Sequence, residues 1–186
     1  MTCRILSERD HCRGGLFFIR GGSTIRNQKQ SLYDALQRGE TGTLIDWLNQ
    51  GNDPHQYVEH GCPLLFIATH FNNVQAVTIL LAAGVDPDKA NDLGITPLIH
   101  AAYLNFKEIV RLLLPHCKNI DATESHFGHT ALIEAVRAGN KEMMMLLLQY
   151  GGKIDIQTHE GKTAMEIAVS RGYQGIAAIL SDAMNR

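Results

Sequence analysis

Apolar positions recur along this chain in blocks of one length. In "GITPLIHAAYLNFKEIVRLLL", which runs from Gly94 to Leu114, a Gly and a Thr-Pro step precede Leu98 and Ala101, and a second burst holds Ile109, Val110, Leu113 and Leu114. The second burst has the 3 and 4 offsets of one helical face. The same order starts again at Gly61, Gly128 and Gly161, so the four glycines are separated by 33, 34 and 33 residues. Four places after each Gly stand Leu65, Leu98, Leu132 and Met165. Seven places after it stand Ala68, Ala101, Ala135 and Ala168. Paired apolar residues close the blocks at Trp47-Leu48, Leu80-Leu81, Leu113-Leu114 and Leu147-Leu148. One period before Gly61, residues 30–60 form an earlier copy with a weaker start.

Each block predicts a turn, a short helix, a tight corner and a second helix. Thr96-Pro97 reads as an N-cap followed by Pro at the first helical position, and Thr130 and Thr163 cap without the Pro. Gly39, Asn72, Asn105, Gly139 and Gly172 stand where the chain must turn between helices, and these residues tolerate positive φ. Gly51, Gly84 and Gly151 end the second helices, Cys117 takes that place in one copy, and Pro115 should shorten the helix before it. At helical spacing, some of Met143, Met144 and Met145 must face the core. Ordering one 33-residue helix pair costs on the order of 50 kcal/mol of conformational entropy. Offsetting that takes roughly 2,000 Å² of apolar burial at ~25 cal/mol per Å². Two short helices cannot hide so much alone, so the blocks must stack in a row.

The stretches "GCPLLFIAT", "GITPLIHAA", "GHTALIEAV" and "GKTAMEIAV" resemble the ankyrin-repeat family, whose repeat of about 33 residues carries a T-P-L-H-x-A core. The resemblance covers about residues 30–186. It implies an all-α solenoid of about five stacked helix-turn-helix units joined by β-turn fingers, with repeats near 30–60, 61–93, 94–127, 128–160 and 161–186. The family His is replaced by Phe66, Ile99, Ile133 and Glu166, so apolar packing must stand in for the usual Thr–His hydrogen bonding. Asp88, Asp121 and Asp155 hold a place where many family members carry Asn. The first copy begins Gln30-Ser31 and the last ends with Ser181 and Asp182 in "SDAMNR", polar features that suit terminal repeats.

The resemblance also implies a concave surface that grips another protein. Its finger tips would hold Glu59, His60 and Cys62; Asp92, Leu93 and Ile95; His126, Phe127 and His129; and His159, Glu160 and Lys162. The ends of the first helices would hold Gln37 and Arg38, His70 and Phe71, Tyr103 and Leu104, Arg137 and Ala138, and Ser170 and Arg171. Phe71, Leu93, Ile95, Tyr103, Leu104 and Phe127 put apolar and aromatic groups where solvent would otherwise be, which marks an interface. The competing reading packs Leu93 and Phe127 against adjacent turns. His60, His70, His126, His129 and His159 fall on the same surface, but no metal-ligand spacing accompanies them, so they read as solvated polar residues and no metal is expected.

Composition adds little except at the start. Apolar residues make up 45% and charged residues 19%, with a net charge of −2, which gives no overall case for nucleic acid. Residues 1–29 differ: six basic residues face two acidic ones, a net of +4 on an arm before an acidic body. Within it, Leu16, Phe17, Phe18 and Ile19 could cover the open end of the first helix pair. The alternative is a flexible arm touching nucleic acid or an acidic membrane. Cys3, Cys12, Cys62 and Cys117 are widely spaced and match no metal pattern. No signal peptide or span of ~20 apolar residues is visible, which suggests an intracellular protein, cytoplasmic or nuclear. No P-loop, G-x-S-x-G, H-E-x-x-H or dinucleotide fingerprint occurs, so no cofactor or small-molecule substrate is expected. The expectation is a monomeric, non-enzymatic adaptor or inhibitor that binds another protein. Contact through the basic arm is the second reading, and a targeting portion of a larger enzyme the third.

Overall fold

The computed structural model describes residues 32–55, 57–59 and 61–184. The expectations for the arm at 1–29 and for His60 lie outside the described residues. Helices come in pairs, as the blocks predict: α1 (residues 32–38) with α2 (Gly42–Asn49), α3 (Leu64–His70) with α4 (Val74–Ala82), and α5 (Pro97–Tyr103) with α6 (Lys107–Leu113). Then come α7 (Ala131–Arg137) with α8 (Lys141–Gln149) and α9 (Ala164–Ser170) with α10 (Gln174–Met184). One two-stranded antiparallel ribbon, β1 (Tyr57–Glu59) and β2 (Cys62–Pro63), precedes α3. No described helix is long and apolar enough to cross a membrane.

Local chemistry sets the helix ends. The side chains of Thr96, Thr130 and Thr163 each accept from the backbone N–H three residues on, and Pro97 stands at the start of α5. Glu166 adds the reciprocal bond, accepting from the Thr163 backbone N–H at 2.7 Å, which makes a capping box. The expected corner residues all turn with positive φ, including the two non-glycines Asn72 (52°) and Asn105 (60°). Asn73 and Asn140 then cap α4 and α8, accepting from Ala76 and Met143 N–H. α6 has 7 residues where α4 and α8 have 9, the shortening expected before Pro115.

The first helices α3, α5, α7 and α9 pack side by side, and α4 packs on α6. Ala68, Ala101, Ala135 and Ala168 are fully buried where these helices pass each other. Phe66, Ile99 and Ile133 are buried too, so apolar side chains fill the place of the family's buried His. Met143 and Met144 face the core while Met145 is exposed. Polar bonds also join neighbouring units. The Asp88 carboxylate accepts from the backbone N–H of Lys118 (2.7 Å) and Asn119 (3.0 Å), and Asp121 accepts from Lys153 N–H (2.8 Å). The acidic residue thus does one repeat later what an amide oxygen can do equally well.

Candidate protein-binding groove

Three successive fingers are held by a side-chain acceptor at their base. Asn91 Oδ1 accepts from the N–H of Leu93 and Ile95, both at 3.0 Å. Thr158 Oγ1 accepts from Glu160 (3.3 Å) and Lys162 (3.2 Å). Glu124 does this work in the middle finger with three bonds, from His126 and Phe127 at 2.6 Å and His129 at 3.0 Å. That finger is one residue longer: its closing backbone bond runs from Glu124 N to His129 O, against Asn91 N to Ile95 O and Thr158 N to Lys162 O in its neighbours. The 34-residue spacing therefore has its extra residue here, and the longer Glu side chain reaches across the wider turn. Burial opposes ionisation of Glu124, but the backbone donors of His129, His126 and Phe127 outweigh it and hold the carboxyl below its usual range. Adjacent fingers are joined by Ser125 N–H to Leu93 O (2.9 Å) and His159 N–H to Phe127 O (2.8 Å).

Behind these fingers, the helix position of Ile67 and Ile167 is polar in the two middle units, as His100 and Glu134. Both are buried. Glu134 Oε1 accepts from Arg137 Nη1 at 2.9 Å and lies 2.7 Å from His129 Nδ1. A carboxylate only accepts, so His129 carries its proton on Nδ1, and the 2.8 Å approach of Arg137 Nη1 to that nitrogen is a contact between two donors. The His129 ring stacks on Phe127 at 5.2 Å, and His126 meets Phe127 edge-on at 4.6 Å. His100 Nε2 lies 3.1 Å from His70 Nδ1, with the rings stacked at 5.3 Å and Phe66 at 4.5 Å from His100. Burial, and next the His70 charge, push the His100 pKa down to about 3. Burial also lowers that of His70.

The cluster of His129, Glu134 and Arg137 lines a groove of about 710 Å³, walled by the ends of α5, α7 and α9 and by the fingers at 124–129 and 158–162. A small cleft of about 70 Å³ adjoins it, between Ile95, Ile99, His100, Tyr103 and Phe127. The sequence matches the pattern of ankyrin repeats, three copies, over residues 32–126 and 116–185. The chain belongs to the ankyrin-repeat family. It is 30% identical over 154 residues to the putative ankyrin repeat protein FPV014 of Fowlpox virus (strain NVSL), covering 82% of this chain and 35% of that one. The B-cell lymphoma 3 protein homolog of Mus musculus is 30% identical over 126 residues, 66% of this chain and 28% of its own length. Palmitoyltransferase ZDHHC17 of Rattus norvegicus is 33% identical over 141 residues, 75% of this chain and 23% of its own length. The chain thus spans about a third or less of these relatives. Ankyrin repeats generally mediate protein–protein interaction and are typically non-enzymatic.

Of the residues the ankyrin pattern nominated, the groove brings together Tyr103, His126, Phe127, His129, Arg137, His159, Glu160, Lys162 and Arg171. Ile95 lines the adjoining cleft. Asp92, Leu93, His70, Phe71 and Leu104 line neither. Several of the nominated tip and end residues are less exposed than an open surface requires, among them Cys62, which is 5% exposed in β2. His129 is only 7% exposed because Glu134 draws its ring inward. His70 is half-buried against His100, and half-buried Phe71 sits edge-on to Tyr33 at 5.1 Å. Glu124, Glu134 and His100 were not nominated. Their one signal is a polar residue where the matching positions in flanking repeats are apolar or short.

Proposed function

We propose that this chain is a non-catalytic protein-binding module, an adaptor or inhibitor, whose partner occupies the groove between the ends of α5, α7 and α9 and the two fingers above them. One observation carries the reading: Tyr103, Phe127, Arg137 and Arg171 line a single concavity. Tyr and Arg are the residues that dominate binding energy at interfaces, and they do so in pockets that exclude water. The groove is also supported from beneath. Its helices carry buried alanines at each crossing, and its fingers are pinned by Glu124 and Thr158, so little order has to be gained when a partner arrives.

The test is affinity capture with the intact chain beside a Tyr103→Ala, Phe127→Ala, Arg171→Ala variant whose circular dichroism and thermal midpoint match. The variant should lose the proteins that the intact chain retrieves. Equal recovery of the same proteins by both baits would place the binding surface elsewhere.

A further inference from the structure

We infer that the groove selects an extended acidic segment of its partner and that Arg171 binds one of its carboxylates. This rests on the groove being the protein-binding site and adds the chemistry it selects. The ionic side chains of the groove are not equivalent. Glu134 is already satisfied by Arg137 and His129, and Glu160 is held by Lys162 at 2.9 Å. The lining therefore keeps both of its acidic groups occupied internally, while Arg171 meets no carboxylate among the described residues.

Arg171 is also held in place. It reaches back one repeat and donates from Nη1 to the backbone carbonyl oxygen of Arg137 at 3.0 Å. That bond uses one of the five guanidinium N–H groups, and the others meet no acceptor among the described residues. A guanidinium fixed this way presents a fork that fits a carboxylate with two parallel bonds. Three basic side chains against two acidic ones also make the lining positive on a chain whose net charge is −2. Neighbouring helices stand about 8–10 Å apart, and an extended chain advances about 3.3 Å per residue. A segment running along the array meets a new repeat about every third residue. An Asp or Glu at Arg171 therefore puts an apolar side chain about six residues away, two repeats back, onto Tyr103 and Phe127, which line the adjoining cleft together.

A phage-displayed random peptide library selected on the intact chain tests this. The selected peptides should be enriched about threefold or more in Asp and Glu over the input. Their affinity should fall about tenfold with Arg171→Glu or with Gln in place of the acid, an effect of the size seen for desolvated charge pairs. Arg171→Lys should retain part of it, and Lys118→Glu, an exposed site off the groove, should change nothing. Selected peptides with no acid enrichment that still require Tyr103 and Phe127 would overturn the acidic reading and leave the protein-binding site standing. Selection of no peptide, or groove-dependent binding of a labelled single-stranded oligonucleotide in its place, would overturn both.

Discussion

His100 stands where matching positions carry Ile67 and Ile167, and it is 2% exposed. Its Nε2 faces His70, but its Nδ1 has no partner among the described residues, and a buried unpaired polar atom is destabilising. A proton on this ring would put a charge into the stack of Phe66 and His70. The folded pKa is therefore about 3, against 6.5 for the free ring. Below pH 6.5 the unfolded chain takes up a proton that the folded chain refuses, so stability falls as pH drops from 6.5 toward 3. The slope approaches about 1.4 kcal/mol per pH unit. His100→Leu removes that loss and puts at this position an apolar side chain like that of Ile67 in the preceding repeat. Urea unfolding at pH 7 and pH 4 should show the variant gaining roughly 3 kcal/mol on the parent chain over that interval. An unchanged difference would mean that the imidazole pair protonates freely in the folded state. "GITPLIHAA" hid this feature, because the motif announces a helix start and a buried face but does not say which buried place takes a polar ring.

The ends of the elements were more legible than the fingers between them, and the reason is range. A Thr cap bonds three residues ahead and a corner Asn or Gly answers to its own φ, so Thr96, Thr130, Thr163, Asn72 and Asn105 could be read from their neighbours alone. Finger packing reaches across 30 residues or more and leaves no such mark. Asn91, Glu124 and Thr158 do one job with three chemistries, and the extra residue in the middle finger shifts their spacing to the following Gly. The same range effect separates two glycines of equal backbone shape. Gly94 has φ +72° and Gly161 φ +73°, yet a Cβ on Gly94 would meet Ser125 Oγ at 2.5 Å and Ser125 N at 3.1 Å, while one on Gly161 would meet nothing. Gly161→Ala should cost only the strain of a left-handed residue, about 1–2 kcal/mol. Gly94→Ala should cost more, since the next finger must also move and its Ser125 N–H to Leu93 O bond is at risk. Thermal or urea unfolding of the two variants measures the difference. Equal losses would show that the fingers do not bear on one another.

At the scale of the molecule, the 33-residue period announced stacking because each helix pair lacks enough apolar surface to fold alone. It did not announce where along the concave side a groove would open. That depends on which finger is longer and on Glu134 drawing His129 inward, both of which need the neighbour in place. Stacking also makes stability uneven along the array. α5 and α7 each have a first helix packed on both sides, whereas α9 packs on α7 alone among the described first helices. The outer face of this last unit shows it: Val169 is 64% exposed and Met184 62%, and only Ala164, Ile167, Ala168, Ile176 and Leu180 are buried there. A unit with one neighbour keeps roughly half of the interface that holds an inner one, so it should open at lower free energy than the middle of the array. Native-state hydrogen exchange is the measurement. Amides of α9 and α10 should exchange through an opening of lower free energy and smaller denaturant dependence, while those of α5 and α7 should exchange only through the larger unfolding, with its steeper dependence. A common exchange free energy across all four helices would mean that the array unfolds as one unit, and Arg171 at the C-terminal end of α9 would then sit on a platform as firm as the centre.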